Sequence, residues 1–119
     1  MPDKEKVLVI DDDRPLADGF ARALSSEYDV RTAYSVEQAR ESLDPDIDAV
    51  LLDRRLPDGS GDELLEEIRD RDHDYRVAMV SGESPDPNLD CDTYVTKPLA
   101  GTDAVQETVE ELLASTLST

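Results

Sequence analysis

The segment Val7-Leu8-Val9-Ile10-Asp11-Asp12-Asp13 decides how this chain folds. Four apolar, mostly β-branched residues run directly into three carboxylates. An apolar run without polar alternation reads as a strand buried on both faces of a parallel sheet. The pattern returns in Ala49-Val50-Leu51-Leu52-Asp53, in Val77-Ala78-Met79-Val80-Ser81-Gly82 and in Tyr94-Val95-Thr96-Lys97-Pro98. These runs end in an Asp, a Ser and a Lys. Ligands of open α/β sheets bind outside the carboxyl ends of the strands, so the four polar ends are expected to meet at one edge. Carboxylates beside an ammonium and a hydroxyl suggest a site for magnesium and a phosphoryl group.

Helical patterns fill the gaps between the runs. Pro15 suits a first helical turn, and Leu16, Phe20, Ala23 and Leu24 follow at helical spacing. Residues 28–33 read as a second strand. Ser35 and Gln38 form a capping box for a helix carrying Val36, Ala39 and Leu43, which Asp44-Pro45 ends. Residues 48–53 are the third strand, and 56–61 a loop. A helix over 62–71 turns Leu64, Leu65 and Ile68 inward. Residues 76–80 and 93–95 are the fourth and fifth strands. A closing helix over 102–113 carries Val105, Val109, Leu112 and Leu113 on one face. Strand–helix alternation implies βαβ units with right-handed crossovers. There is no internal repeat and no interdomain linker, so residues 1–119 read as a single domain. The small, polar tail from Ala114 could lead into a further domain.

Composition narrows the function. The chain has 119 residues, 30 of them Asp or Glu against 12 Lys or Arg, for a net charge of −18. That argues against non-specific nucleic-acid binding, which needs a basic surface, and against anionic membranes. Asp outnumbers Glu 19 to 11, and Lys is scarce, at 3 against 9 Arg. Such a chain repels itself at low salt. At about 1 M salt the Debye length is roughly 3 Å and the repulsion largely vanishes. An acidic mesophile protein fits these counts, but Asp-rich, Lys-poor composition points more sharply to a halophile cytosol. Cys91 is the sole cysteine, so no intrachain disulfide forms. No segment has the length of a membrane span, and the first six residues lack the apolar core of a signal peptide. A soluble cytoplasmic protein is the expectation.

With Asp11-Asp12, Asp53, Ser81 and Lys97-Pro98 in this order, nearly the whole chain resembles a response-regulator receiver domain, the CheY-like family of two-component signalling. The resemblance implies a five-stranded parallel sheet in the order 2-1-3-4-5, flanked by helices. It implies that Asp53 is the phosphoacceptor, taking a phosphoryl group from a histidine kinase or phosphotransfer protein. Asp12 would bind Mg²⁺ directly, Asp11 largely through water, and the backbone carbonyl of Arg55 would complete the protein ligands. Lys97 would neutralise the phosphoryl group. Ser81 and Tyr94 would form the switch, and the Lys97-Pro98 peptide would be cis. Pro57 and Gly61 fall four and eight residues after Asp53, as in the family's loop. Asp13 reads differently, as the N-cap of the first helix. Such a receiver is a signalling module rather than an enzyme in the ordinary sense, although it catalyses its own phosphorylation and autodephosphorylation. Its output partner or domain is not specified by the sequence.

Each residue alone has a plainer reading. A strand-end Asp is as often a helix cap, a strand-end Lys a solvated charge, and Tyr94 an edge aromatic. Their joint order on five βα units carries the argument. The segments starting at Asp44 and Asp86 imitate calcium loops, but both lack Gly at the sixth position and Glu at the twelfth. His73 reads as a surface residue. Three departures from the family stand out. Only 16 positions separate Ser81 from Lys97, with Pro85 and Pro87 between them, so the fourth helix should be missing or a single turn. Output would then run through the remodelled loop, the last helix or a further domain. The truncation and the Asp-rich character are similar to halophile receivers fused to a HalX-type helical domain. Arg55 stands beside the phosphoryl site, where it could shield an acyl phosphate from water. Gly82 follows Ser81, which should leave access open. A phosphorylation-independent binding module is the alternative function. A phosphatase with an aspartyl nucleophile is a third, disfavoured because Arg55 stands where such enzymes carry a second Asp.

Overall fold

The computed structural model describes residues 4–71, 75–84, 86–97 and 102–114. His73, Pro85, the Lys97-Pro98 peptide and the tail from 115 lie outside the described residues. Within them the elements are β1 (Lys6–Ile10), α1 (Arg14–Leu24), β2 (Asp29–Ala33), α2 (Val36–Ser42), β3 (Ala49–Asp53), β4 (Arg55–Leu56), β5 (Gly59–Ser60), α3 (Gly61–Asp70), β6 (Arg76–Ser81), β7 (Thr93–Thr96) and α4 (Thr102–Ala114).

Five parallel strands form one sheet in the order β2-β1-β3-β6-β7. Numbered within the sheet alone, this is the expected order 2-1-3-4-5. The apolar runs are continuous because both faces are covered. Leu8, Ile10, Val50, Leu52, Val77 and Met79 face one core with Ala39 of α2 and Leu64 and Ile68 of α3. Their neighbours Val7, Val9, Leu51, Ala78 and Val80 face the other, with Phe20 and Leu24 of α1 and Val109 and Leu112 of α4. Fully burying one such aliphatic side chain is worth about 1.5–3 kcal/mol. A one-residue shift of register would exchange the two sets and pack neither.

Local chemistry sets the helix starts. Asp13 caps α1, its Oδ1 accepting from the Leu16 amide at 3.2 Å. Ser35 caps α2 by accepting from the Gln38 amide at 3.1 Å. Gln38 returns a bond one residue earlier than a capping box requires, accepting from the Tyr34 amide at 2.9 Å. Asp58, in the turn between β4 and β5, accepts from the amides of Val36 and Glu37 and so seats that turn on the start of α2. Residues 56–61 read as a loop from sequence; the chain instead pairs Arg55 with Ser60 and Leu56 with Gly59 as a small hairpin.

Between β6 and β7, no helix forms among the described residues. Asp86 makes a local turn, its Oδ1 accepting from the Asn88 amide at 2.9 Å and its carbonyl from the Leu89 amide at 3.1 Å. Leu89, Cys91 and Tyr94 cover the α2/α3-side core in place of a helix. The loop is tied from behind by Arg69 of α3, which donates to the Asp90 carbonyl at 2.7 Å and to Asp92 Oδ2 at 2.9 Å. The same Asp92 oxygen accepts from the Val77 amide at 2.8 Å. The shortened stretch is therefore an ordered turn pinned to a strand and a helix.

Candidate functional site

The carboxyl ends of β1, β3, β6 and β7 converge. Asp11 follows β1 directly, Asp53 and Ser81 end β3 and β6, and Lys97 follows β7. Asp11, Asp53 and Ser81 are buried, while Asp12 is exposed at the mouth. Carboxylate oxygens of Asp11, Asp12 and Asp53 all lie within 4.8 Å of one another. Lys97 Nζ donates to Asp11 Oδ2 at 2.9 Å and sits 3.5 Å from Asp53 Oδ2. An open cleft of about 360 Å³ lies over them, lined also by Arg55, Pro57 and Gly82.

The electrostatics follow from this crowding. Burial, then the neighbouring Asp11 carboxylate, push the Asp53 carboxyl up to about 6, against the pull of the Arg55 amide and Lys97. At Lys97 burial works against the charge, but the Asp11 hydrogen bond and the charges of Asp11 and Asp53 outweigh it and raise the ammonium. Three carboxylates share one ammonium, so the site is short of positive charge. An all-oxygen donor set open to solvent suits a hard dication that keeps several waters. It is the one such cluster among the described residues. The two calcium-loop imitations have other work: Asp44 accepts from the Asp46 amide and pairs with Arg31, and Asp86 makes its turn.

Backbone geometry positions the remaining groups. The Arg55 amide donates to Asp53 Oδ1 at 3.3 Å. The backbone of Arg55 lies in β4. Its side chain is exposed and pairs with Glu83 across the cleft. Ser81 Oγ accepts from the Glu83 amide at 3.1 Å, leaving the hydroxyl hydrogen to donate. Gly61 donates its N–H to the Arg54 carbonyl at 2.8 Å, and a Cβ there would meet Arg54 Cα at 2.8 Å. Only glycine lets α3 start this close to the Asp53–Arg54 backbone. Tyr94 is half-buried, and its hydroxyl donates to the Glu83 carbonyl at 3.0 Å. Sequence reasoning placed Asp11, Asp12, Asp53, Ser81, Lys97 and Arg55 around one cleft, and there they are. It missed Arg54 and Glu83. Their only sequence signal is position, Arg54 one residue after Asp53 and Glu83 two after Ser81.

Residues 7–110 match the sequence model of the response regulator receiver domain. A Haloferax volcanii protein described as a transcriptional regulator is 47% identical over 114 residues, covering 92% of this chain and 19% of its own length. The regulatory protein VanR of Enterococcus faecium is 33% identical over 102 residues, covering 79% of this chain and 44% of its own. The chain thus spans less than half the length of either relative. Among solved structures, a CheY-like response regulator receiver domain protein of Methanospirillum hungatei superposes with a TM-score of 0.84 at 25% identity, covering 98% of this chain and 99% of that one. The Haloferax relative agrees with the Asp-rich, Lys-poor composition of a halophilic protein. By sequence, fold and the acidic cluster at its strand ends, the chain belongs to the response-regulator receiver family of two-component signalling.

Proposed function

We propose that the chain accepts a phosphoryl group on Asp53 from the phosphohistidine of a sensor kinase or phosphotransfer protein. The observation that carries this reading is the Lys97 ammonium set between Asp11 and Asp53, at 2.9 and 3.5 Å. Asp11, Asp12, Asp53 and the Arg55 carbonyl would hold Mg²⁺, which when bound neutralises charge on the carboxylates and on the phosphoryl oxygens. The Asp53 oxygen attacks phosphorus as the P–N bond breaks, and the donor imidazole departs with the electron pair. Lys97 passes from Asp11 to a phosphoryl oxygen. Ser81 turns its free hydroxyl hydrogen to another. The chemistry is positioning and charge stabilisation, with little covalent work by other groups.

Ser81 and Tyr94 form the switch in this reading, because both engage Glu83: one its amide, the other its carbonyl. Drawing Ser81 toward a phosphoryl group displaces Glu83 and Tyr94 together. We read residues 1–119 as one receiver unit working in the cytoplasm, with its output in a further domain or a separate protein. The test is incubation with Mg²⁺ and acetyl phosphate at high salt, followed by intact mass. A retained phosphate adduct that Asp53→Asn abolishes is expected. No adduct on the wild type overturns the reading in favour of a phosphorylation-independent binding module. Continuous turnover with no retained adduct marks a phosphatase instead.

A further inference from the structure

The strongest unassigned feature is the guanidinium of Arg54, next in chain to Asp53 yet turned away from the acidic cleft. It is 15% exposed and grips Asp62 of α3 with two parallel bonds, Nε to Oδ1 at 2.9 Å and Nη2 to Oδ2 at 3.1 Å. The rest of the group faces the loop 82–92. Nη1 lies 3.4 Å from the Ser84 carbonyl, 3.4 Å from the Tyr94 hydroxyl and 3.6 Å from a Glu83 carboxylate oxygen. Nη2 lies 3.6 Å from Asp86. One cation thus gathers three carboxylates, and two of them belong to the loop that stands where a helix is absent.

We propose that Arg54 is the positioning residue that holds the first half of the loop, at Glu83, Ser84 and Asp86, in its resting shape and releases it when Asp53 is phosphorylated, while Arg69 keeps the second half pinned. The inference rests on the phosphoacceptor reading above. A guanidinium has five donors in a rigid fork, and only part of that fork is taken by Asp62. The rest reaches the loop at distances that leave it replaceable. An acyl phosphate carries between one and two negative charges at about neutral pH where the free carboxylate carries one, so the residue next to Arg54 gains at most about one charge, spread over added phosphoryl oxygens. It also recruits the Ser81 hydroxyl, whose oxygen now accepts from the Glu83 amide. The loop is thus pulled at Glu83 from the β6 side while its counter-charge is drawn from the β3 side. Without a helix to move as a rigid body, the loop itself becomes the surface that changes.

The test compares wild type, Arg54→Met, Arg54→Lys and Tyr94→Phe, each with and without Mg²⁺ and beryllium fluoride as the phosphoryl mimic. Amide hydrogen exchange reads the loop and the core strands separately, and acetyl phosphate with intact mass reads the site. In Arg54→Met, the amides of Ser84, Asp86 and Asn88 exchange about tenfold faster in the unloaded protein, as expected for local opening. The wild-type change on loading shrinks below about twofold, since the loop is already released, while β1 and β3 stay protected and the phosphate adduct still forms. Arg54→Lys restores part of the change because it keeps the charge without the fork. Tyr94→Phe, which keeps the ring, loses part of it even if the Met variant folds poorly. A wild-type loading response in Arg54→Met overturns the role of Arg54. So does faster exchange throughout β1 and β3, which marks a merely structural residue. A wild type that takes no adduct from acetyl phosphate overturns the phosphoacceptor reading itself and this inference with it.

Discussion

At the residue scale, Asp53 is held in a state it resists. Its carboxyl is raised from 3.8 to about 6, by burial first and Asp11 second. The folded protein therefore binds this proton more tightly than the unfolded chain does. The stability it contributes is fully present below about pH 3.8 and is lost as pH rises through about 6. Above that range the ionised carboxylate costs on the order of 2–3 kcal/mol. Asp53→Asn keeps an oxygen for the Arg55 amide and removes the charge. Without Mg²⁺ at neutral pH, thermal unfolding should show it more stable than wild type, with the gap closing toward pH 4. Added Mg²⁺ should stabilise wild type more than the variant. An Asn variant less stable than wild type at neutral pH contradicts this account. The Arg55–Glu83 pair sits at the cleft mouth, where we propose that it shields an acyl phosphate from water. Arg55→Asn should speed phosphate release by about tenfold, an effect of about 1.4 kcal/mol on the barrier. Timed mass measurement of the adduct reads it, and an unchanged rate removes the shielding role. Most of this site was legible because its chemistry sits at the ends of apolar runs. Arg54 was not. Its carboxylate partners come from separate segments, and acidic residues are too common in this chain to mark any of them.

At the element scale, the missing helix was legible and its replacement was not. The short spacing from Ser81 to Lys97 and the two prolines forbid a full helix, and those are local facts. The ties that hold the loop instead are long-range, running from Arg69 of α3 to Asp90 and Asp92. The β4–β5 hairpin was hidden for another reason: two-residue strands have no periodicity to read. Asp92 is the test of how the loop is fixed. Its Oδ2 accepts from the amide of Val77, a residue with no exposed surface, and from Arg69. Asp92→Ala leaves that amide without its acceptor and takes from Arg69 the nearer of its two carboxylates, leaving Asp90 at 3.8 Å. The expected loss is about 1–3 kcal/mol in denaturant unfolding. Hydrogen exchange should rise first at Val77 and along β7 while β1 and β3 stay protected. A loss below about 0.5 kcal/mol would show that water replaces the carboxylate at little cost.

At the scale of the whole molecule, the decisive quantity is the net charge of −18 on 119 residues. Composition shows the size of that charge, but only the fold shows how it is divided. Some carboxylates are neutralised locally, as in the pairs Arg40–Glu67, Arg31–Asp44 and Arg54–Asp62. Others face one another, as around Tyr28, whose phenol is raised by burial and then by the charges of Glu27, Glu110 and Glu5. Salt screens the exposed pairs Arg40–Glu67 and Arg31–Asp44 as well, but with 30 acidic residues against 12 basic the repulsion it removes is the larger sum. Exposed like charges are screened within a Debye length, which is about 10 Å at 0.1 M and about 3 Å at 1 M. Half-buried pairs such as Lys97–Asp11, with Asp11 almost wholly covered, are screened much less. Raising salt therefore removes more repulsion than attraction, the reverse of its effect on a protein held by surface ion pairs. The thermal midpoint should climb by several degrees between about 0.1 and 1 M potassium chloride. The Tyr28 phenol should titrate lower at the higher salt, though burial keeps it above its usual value. Sucrose at matched osmolality separates the causes: it favours compact states by exclusion but leaves charge repulsion in place. A rise reproduced in full by sucrose, or a midpoint that falls with salt, would show that self-repulsion does not govern the stability of this receiver.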